Sequence, residues 1–151
     1  SGVYRSKSGE FIIIYSEGHS SSDYQILSSD DLKGDFKNFT KRQKNHKYSI
    51  AHFENKFYIL TNLDAPNNRL METSSSETDQ SNWEEIIAHR NEEQILEMEV
   101  FSQHLVLNER IDGLSVLRVI KRNFEEIIIL ILMKNRFLPG FQGIENLIRI
   151  F

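Results

Sequence analysis

Serine and histidine are the residue types in this chain that could form a hydrolytic site. A serine hydrolase presents its nucleophile on a tight Gly-x-Ser-x-Gly elbow, together with a histidine base and a carboxylate that orients the base. The nearest matches are residues 18–20 (Gly-His-Ser) and 113–115 (Gly-Leu-Ser), and both lack the second glycine. Because both segments are rich in turn-forming residues, we expect loops there and assign no catalytic residue.

Histidine is also the first residue type to consider for a metal site. The chain has five: His19, His46, His52, His89 and His104. Their spacings do not match the i, i+4 or His-Glu-x-x-His patterns that place two ligands on one helical face. The sequence therefore predicts no metal site and places the histidines on the surface or in loops.

The chain contains no cysteine, which excludes thiol nucleophiles, zinc–thiolate sites and disulfides. A reducing, cytoplasmic setting fits this composition best. No glycine-rich phosphate-binding loop is present, so the sequence predicts no cofactor.

Charge limits the classes of partner. The formal net charge is −4 and the sequence pI is near 5.7, which argues against nucleic acid as a partner. Residues 41–47 are a basic run that could contact a phosphate or a peptide carboxylate, but their position between strands favours an exposed loop. The acidic residues that could attract a cationic peptide, or simply face solvent, are Glu84, Glu85, Glu92, Glu93, Glu97 and Glu99.

The chain is not expected to cross or enter a membrane. Its most apolar run, residues 127–133, is seven residues long, whereas a spanning helix needs roughly 20. Residues 1–10 lack the apolar centre of a signal peptide.

Short apolar runs separated by turn residues predict β-strands along most of the chain. Residues 62–68 are rich in Asn, Asp and Pro and predict a turn, and residues 74–81 read as a serine-rich linker. The predicted strands are 11–15, 24–27, 36–40, 48–53, 57–62, 69–73, 83–88, 95–101, 104–110, 114–120 and 124 onward.

The order of these strands repeats. Phe11, Phe57 and Leu105 fall in register, and residues 82–87 (Asn-Trp-Glu-Glu-Ile-Ile) recur as residues 123–128 (Asn-Phe-Glu-Glu-Ile-Ile). A period of about 40–50 residues with four strands per unit is typical of propeller blades. We therefore predict an all-β chain, a partial β-propeller of about three four-stranded antiparallel blades. The blades would occupy residues 1–128 (about 1–45, 46–90 and 91–128), followed by a divergent apolar tail at 129–151.

One helical alternative stays open at this point. Residues 84–99 are rich in Glu, Ile and Leu and could form an amphipathic helix. The register of the repeat favours strands there.

An ordered series of residues resembles the propeller domain of the prolyl oligopeptidase family. The series is 57–62 (Phe-Tyr-Ile-Leu-Thr-Asn), Ala65, Asn67, Leu70, 83–87 (Trp-Glu-Glu-Ile-Ile), Phe101, 105–106, 109–110 and 113–114. Within that family the chain looks most similar to the oligopeptidase B (protease II) branch. The resemblance covers about residues 8–120 and extends at most to residue 128. It implies blades of a seven-bladed propeller that caps an α/β-hydrolase domain and limits entry to short peptides, which this branch cuts after Lys or Arg.

The resemblance also implies that the catalytic Ser, Asp and His belong to a hydrolase domain that this chain does not match. We therefore expect the chain alone to be a non-catalytic propeller fragment, with that hydrolase domain as a missing partner. After residue 128 the family pattern is lost, which suggests a truncated product with a shifted reading frame. A stand-alone module that binds a peptide or protein remains the alternative. Open blade faces predict a homo-oligomer, with the apolar tail packed on one of them.

Overall fold

The computed structural model describes residues 1–123 and 129–132, which form twelve strands and one turn of 3₁₀ helix, Gln80–Asn82. The first sheet contains β1 Gly2–Arg5, β2 Phe11–Glu17, β3 Ser22–Ser28 and β4 Lys37–Asn38. The second contains β5 Tyr48–Phe53, β6 Lys56–Thr61, β7 Arg69–Ser74 and β8 Glu84–Ile87. The third contains β9 Glu93–Val100, β10 His104–Ile111, β11 Leu114–Lys121 and β12 Ile129–Leu132.

Each sheet is an antiparallel meander in which every strand pairs with its neighbour in sequence. The first two sheets belong to one compact unit, Ser1–Arg90, and the third belongs to a second unit that begins at Asn91. The predicted all-β class and the three four-stranded antiparallel sheets are confirmed. The helical alternative for residues 84–99 is wrong, because β8 and β9 occupy that segment.

Aromatic side chains form the core between the first and second sheets. Phe39 and Phe57 are 1% and 0% exposed and meet edge to face with ring centroids 5.0 Å apart. Phe57 also lies 5.0 Å from Phe11, and Trp83 lies 6.2 Å from Phe39. Aromatic pairs of this kind add about 0.5–1.5 kcal/mol beyond the area they bury. These aromatic contacts therefore hold the two sheets of the first unit together.

The turn between β6 and β7 follows the chemistry of its Asn and Asp residues. Asp64 and Asn68 have φ of 52° and 69°, a left-handed conformation that Asn and Asp tolerate better than most residues. The Asn62 side chain accepts a hydrogen bond from the backbone N–H of Lys47, and the Asn62 N–H donates to the Lys47 carbonyl. The turn is thus fixed to the segment that enters the second sheet.

The serine-rich segment after β7 is attached to the first sheet by hydrogen bonds. The Thr78 hydroxyl donates to the Phe39 carbonyl at 2.7 Å, and the Thr40 hydroxyl donates to Asp79 at 3.1 Å. The Trp83 indole donates to the Thr78 carbonyl at 2.8 Å. The predicted linker therefore forms an ordered connection between the outer strands of the two sheets.

Two strands differ from the sequence prediction. The prediction missed β1, and the structure pairs it with residues 12–15 of β2. It also began the apolar tail at residue 129, whereas Ile129–Leu132 forms β12 and pairs with residues 116–119 of β11. The isoleucine-rich run that includes β12 has the β-branched composition of a strand. The strand predicted from residue 124 falls in 124–128, outside the described residues, as does the rest of the predicted tail.

Candidate functional site

A buried histidine joins the first and second sheets. His52 lies on β5, and its Nε2 is 2.9 Å from the Ser75 hydroxyl, which follows β7. Its Nδ1 is 2.7 Å from the hydroxyl of Ser8, in the turn between β1 and β2. Ser8 in turn contacts the Ser6 hydroxyl at 2.8 Å. We call His52, Ser8, Ser75 and the neighbouring Glu10 the seam cluster.

Burial and the neighbouring Glu10 carboxylate act on His52 in opposite directions. The Glu10 carboxylate lies 3.4 Å from His52 Nδ1. The Ser8 and Ser75 hydroxyls meet the two ring nitrogens, and in the neutral ring one nitrogen donates and the other accepts. Burial lowers the pKa of His52 below its ordinary value of 6.5, and the Glu10 charge opposes that shift. The neutral ring is therefore the stable form at neutral pH.

The contacts of His52 with Ser75 and Glu10 resemble those of a catalytic triad. The burial of His52 distinguishes them from one. The His52 side chain is 1% exposed, and a general base must reach the reacting group directly or through one water. Nδ1 also lies closer to the Ser8 hydroxyl than to the Glu10 carboxylate. The contacts of His52 with Ser8 and Glu10 hold the second sheet against the first, whereas its contact with Ser75 lies within the second sheet.

A second buried histidine lies where the chain enters the second sheet. His46 Nε2 is 2.8 Å from the Thr61 hydroxyl, and the ring stacks on Tyr48 at 4.7 Å. Trp83 lies 5.7 Å from the same ring. Burial lowers the pKa of His46 below its ordinary value, which keeps this ring neutral as well. Both histidines are structural contacts between segments distant in the sequence.

The surface-or-loop prediction is wrong for His52 and His104, which lie on β5 and β10 and are 2% and 8% exposed. His46 does lie in a loop but is only 2% exposed, whereas His19 is exposed and His89 is half-buried. His46 and His52 each satisfy a ring nitrogen with a hydroxyl from another segment, which offsets the cost of burying a polar ring. The sequence carries no local signal for these long-range pairs.

Of the two serine candidates, Ser20 lies in the turn between β2 and β3, and Ser115 is the second residue of β11. Residues 18–20 are exposed between β2 and β3. Gly113, with φ of 76°, and Asp112, with φ of 50°, form the tight turn between β10 and β11. A primed hairpin turn requires these positive φ values, which explains the glycine without any catalytic role.

The charged segments singled out in the sequence are largely exposed. Residues 41–47 connect the first and second sheets, and every residue in the run except His46 is exposed. Glu85 pairs with Arg69 across the second sheet at 2.9 Å. The exposed loop predicted for the basic run is confirmed.

The third sheet contains a buried ion pair that the sequence did not predict. Glu109, 0% exposed on β10, accepts a hydrogen bond from Arg118 Nη1 on β11 at 3.3 Å. A buried carboxylate needs such a partner, because an uncompensated charge in the interior is costly. Arg118 supplies such a partner to Glu109 within the third sheet.

Neither a metal centre nor a membrane span is evident in the part of the chain that the structure describes. Within residues 1–123 and 129–132, no three His, Asp or Glu side chains are grouped so that they could hold a metal ion. In the same residues no helix is long and apolar enough to cross a membrane.

Comparison with known sequences identifies relatives of this chain. The profile of the prolyl oligopeptidase N-terminal β-propeller domain matches residues 1–139. Dipeptidyl aminopeptidase BI of Pseudoxanthomonas mexicana is 30% identical over 121 residues, which cover 80% of this chain and 17% of the relative. Protease 2 of Moraxella lacunata is 26% identical over 118 residues, which cover 78% of this chain and 17% of the relative.

Solved structures share the fold. A chain from a study of two prolyl endopeptidases superimposes with a TM-score of 0.77 at 22% identity, covering 88% of this chain and 19% of that one. Oligopeptidase B from Trypanosoma brucei with covalently bound antipain gives 0.75 at 24% identity, covering 89% and 20%. The chain therefore spans about a fifth or less of the length of these relatives. The profile match also continues past residue 128, where the sequence analysis had placed the loss of the family pattern.

Proposed function

The chain belongs to the prolyl oligopeptidase family as part of its N-terminal β-propeller domain, and from this premise we propose that it is a non-catalytic, substrate-gating part of an oligopeptidase B-like serine peptidase. The match over residues 1–139 carries the proposal. The partner that it requires is a hydrolase domain of the same family, in the same polypeptide or in a separate one. The proposal extends to cleavage after Lys or Arg and to a cytoplasmic setting, which the lack of cysteine supports.

The packing of the first unit supports a gating role. A domain that excludes large substrates must keep its shape when such a substrate contacts it. Close-packed protein cores have low compressibility and so deform little. Ile13, Phe39, Phe57 and Ile59 are each at most 1% exposed between the first and second sheets. The hydrogen bond between His52 and Ser8 crosses the same boundary.

The non-catalytic part of the proposal predicts that the purified chain does not hydrolyse short peptides that contain Arg or Lys. We expect no turnover above a buffer blank, because the one Ser–His–carboxylate contact that the described residues form is centred on a buried histidine. Release of a fluorophore from an Arg-aminocoumarin substrate measures this directly. Turnover that survives further purification and disappears in Ser75→Ala would contradict the proposal.

We also propose that isolated copies of this chain associate through the outer face of the first sheet. Ile13 faces the second sheet, so the neighbouring Ile12 and Ile14 point to the opposite face. Val3, directly opposite Ile14 on the edge strand β1, is 66% exposed. A second copy of this apolar sheet face matches its chemistry, and unpaired edge strands favour such contacts.

This association predicts a concentration-dependent mass in multi-angle light scattering at tens of micromolar. Val3→Lys is expected to shift the chain toward the monomer, since it places a charge in the apolar face through which the copies would associate. Lys47→Gln, an exposed change in the loop between sheets, should leave the mass unchanged. A wild-type chain that is monomeric over this range would overturn the proposal of self-association.

A further inference from the structure

Most of the tyrosines of this chain lie in one row with its single tryptophan. The row consists of Tyr4, Tyr15, Tyr24, Tyr48 and Trp83, and its successive ring centroids are 5.8, 6.2, 5.0 and 5.8 Å apart. Each separation falls within the roughly 4.5–7 Å that is typical of interacting aromatic pairs. All five residues belong to the first compact unit. We call them the aromatic row.

The strand register of the first sheet places three of these rings on one face. Tyr15 on β2 lies directly opposite Tyr24 on β3. Tyr4 on β1 lies opposite Ile13, two residues before Tyr15, and side chains two residues apart in a strand share a face. Tyr48 begins β5 and packs on Tyr24, so the row continues from the first sheet into the second.

The second sheet builds the same frame with aliphatic residues. In both sheets of the first unit, the residue after the third strand donates its backbone N–H to a carbonyl in the turn before the second strand. The two bonds are Ser29 to Glu10 and Ser75 to Asn55, both at 2.9 Å. Counted from this shared corner, Leu60 and Leu70 occupy the positions of Tyr15 and Tyr24, and they also lie directly opposite each other. The packing of such a sheet therefore does not require tyrosine there.

The two ends of the aromatic row differ in their access to water. Tyr4 is 38% exposed, whereas Trp83 is 8% exposed. Tyr24 and Tyr48, between them, are each 5% exposed. The Trp83 indole N–H donates to the Thr78 carbonyl at 2.8 Å, and a carbonyl accepts this hydrogen bond without removing the proton. A proton can therefore be released to water readily at the Tyr4 end of the row.

The chemistry of these side chains suits the transfer of single electrons. Indole and phenol rings lose an electron more readily than the ring of phenylalanine or an aliphatic side chain. At neutral pH an oxidised indole takes an electron from a phenol, because the phenol also releases its proton and becomes a neutral phenoxyl radical. Electrons tunnel rapidly between rings in contact, so transfer along the row ends at the tyrosine that can release its proton to water.

We propose that the aromatic row conducts oxidising equivalents from the buried Trp83 to the exposed Tyr4. A one-electron oxidant of the radical class, such as the carbonate radical anion, takes one electron from Trp83 and leaves an indole radical cation. Trp83 then regains an electron from Tyr4 through the rings between them. The indole N–H bond is kept, whereas the Tyr4 O–H bond breaks and its proton goes to water.

This transfer leaves an intact indole in the core and a phenoxyl radical at the surface. Trp83 belongs to the core between the first and second sheets, so its irreversible oxidation would damage the packing there. The role is separate from the gating of substrates, because it depends on no hydrolase domain.

The test uses the full chain and its single tryptophan as the starting point. Light at the red edge of the indole absorption excites Trp83 selectively, and a pentaamminecobalt(III) complex accepts one electron from it irreversibly. We expect the absorption of the indole radical to decay and that of the tyrosyl radical to rise with one common rate constant. Because the transfer is intramolecular, this rate constant should not depend on the protein concentration.

Tyr48→Phe is the diagnostic variant, because the Tyr48 ring joins Trp83 to the other tyrosines of the row. Phenylalanine retains the ring but resists oxidation, so the tyrosyl signal should be lost and the indole radical should persist. Tyr58→Phe is the matched control and should leave both signals unchanged. Tyr58 follows Phe57 on β6, so its side chain points away from the core that contains Trp83. A far-UV circular dichroism spectrum like that of the wild type shows that each variant is folded.

Two further measurements locate the end of the row and its effect. A nitroso spin trap followed by peptide mass spectrometry should find the label on Tyr4 in the wild type, and Tyr15→Phe should lose that label. Under a steady flux of carbonate radicals, indole fluorescence should fall faster in Tyr48→Phe than in the wild type.

Any one of three results would overturn the inference: a tyrosyl radical that forms as fast in Tyr48→Phe as in the wild type, a rate constant that rises with protein concentration, or a trap label absent from Tyr4. None of these measurements involves peptide hydrolysis or a hydrolase domain. Their failure would therefore leave the proposed gating function untouched.

Discussion

Phe57→Ala is expected to lower the free energy of unfolding by about 3–5 kcal/mol, the range for removal of a large buried aromatic ring. Phe57 is 0% exposed, and its ring lies within 5.0 Å of the ring centroids of Phe11, Phe39 and His52. The truncated side chain would leave a cavity between the first and second sheets, which their backbone hydrogen bonds prevent from collapsing. Urea denaturation followed by tryptophan fluorescence reports the loss, because Trp83 belongs to the same core.

Two matched variants test whether the loss of stability comes from the buried position of Phe57 or from the removal of any phenylalanine ring. Phe57→Leu retains most of the apolar volume and should cost clearly less than Phe57→Ala. Phe36→Ala removes the same ring from a position that is 36% exposed and should cost least. Equal losses for Phe57→Ala and Phe36→Ala would show that the two sheets are not joined by this core.

The second expected result is a loss of stability as the pH falls from 7 to 5. Burial holds the pKa of His52 and of His46 below the ordinary value of 6.5, so the unfolded chain binds these protons first. Stability is therefore fully present above the unfolded pKa and declines as the pH drops through it toward the folded value. Urea denaturation at pH 7 and at pH 5 measures the change.

Two seam-cluster variants should change this pH dependence in opposite directions. His52→Gln removes one titrating group while keeping a hydrogen-bonding side chain, so stability should fall less steeply with acid. Glu10→Gln removes the charge that raises the pKa of His52, so the fall should be steeper. A slope that neither variant alters would show that His52 does not titrate differently in the folded chain.

Much of the fold could be predicted from the sequence because short runs of residues indicate each strand and because the same order of strands recurs along the chain. The β-branched and aromatic runs mark strands one at a time, and the register of Phe11, Phe57 and Leu105 fixes their order in four-stranded units. The short edge strand β1 was missed, since Gly2–Arg5 is mostly exposed and obtains its register from its partner β2. Edge strands of this kind lack the apolar pattern that marks interior ones.

The seam cluster was not predictable for a different reason. Its contacts join residues 44 and 23 positions apart, between His52 and Ser8 and between His52 and Ser75. Composition alone places histidine and serine on the surface. Strand pairing through β6 brings Ser75 to His52, and the packing of the two sheets brings Ser8 to it.

The central claim is that these blades restrict the access of substrates to a peptidase active site. The most direct test replaces the matching segment of Protease 2 from Moraxella lacunata with residues 1–132 of this chain and compares the hydrolysis of a short Arg peptide with that of unfolded casein. We predict that the chimera cleaves the short peptide and leaves casein intact, as we expect of the parent enzyme. A folded chimera that degrades casein as readily as the short peptide would contradict the account.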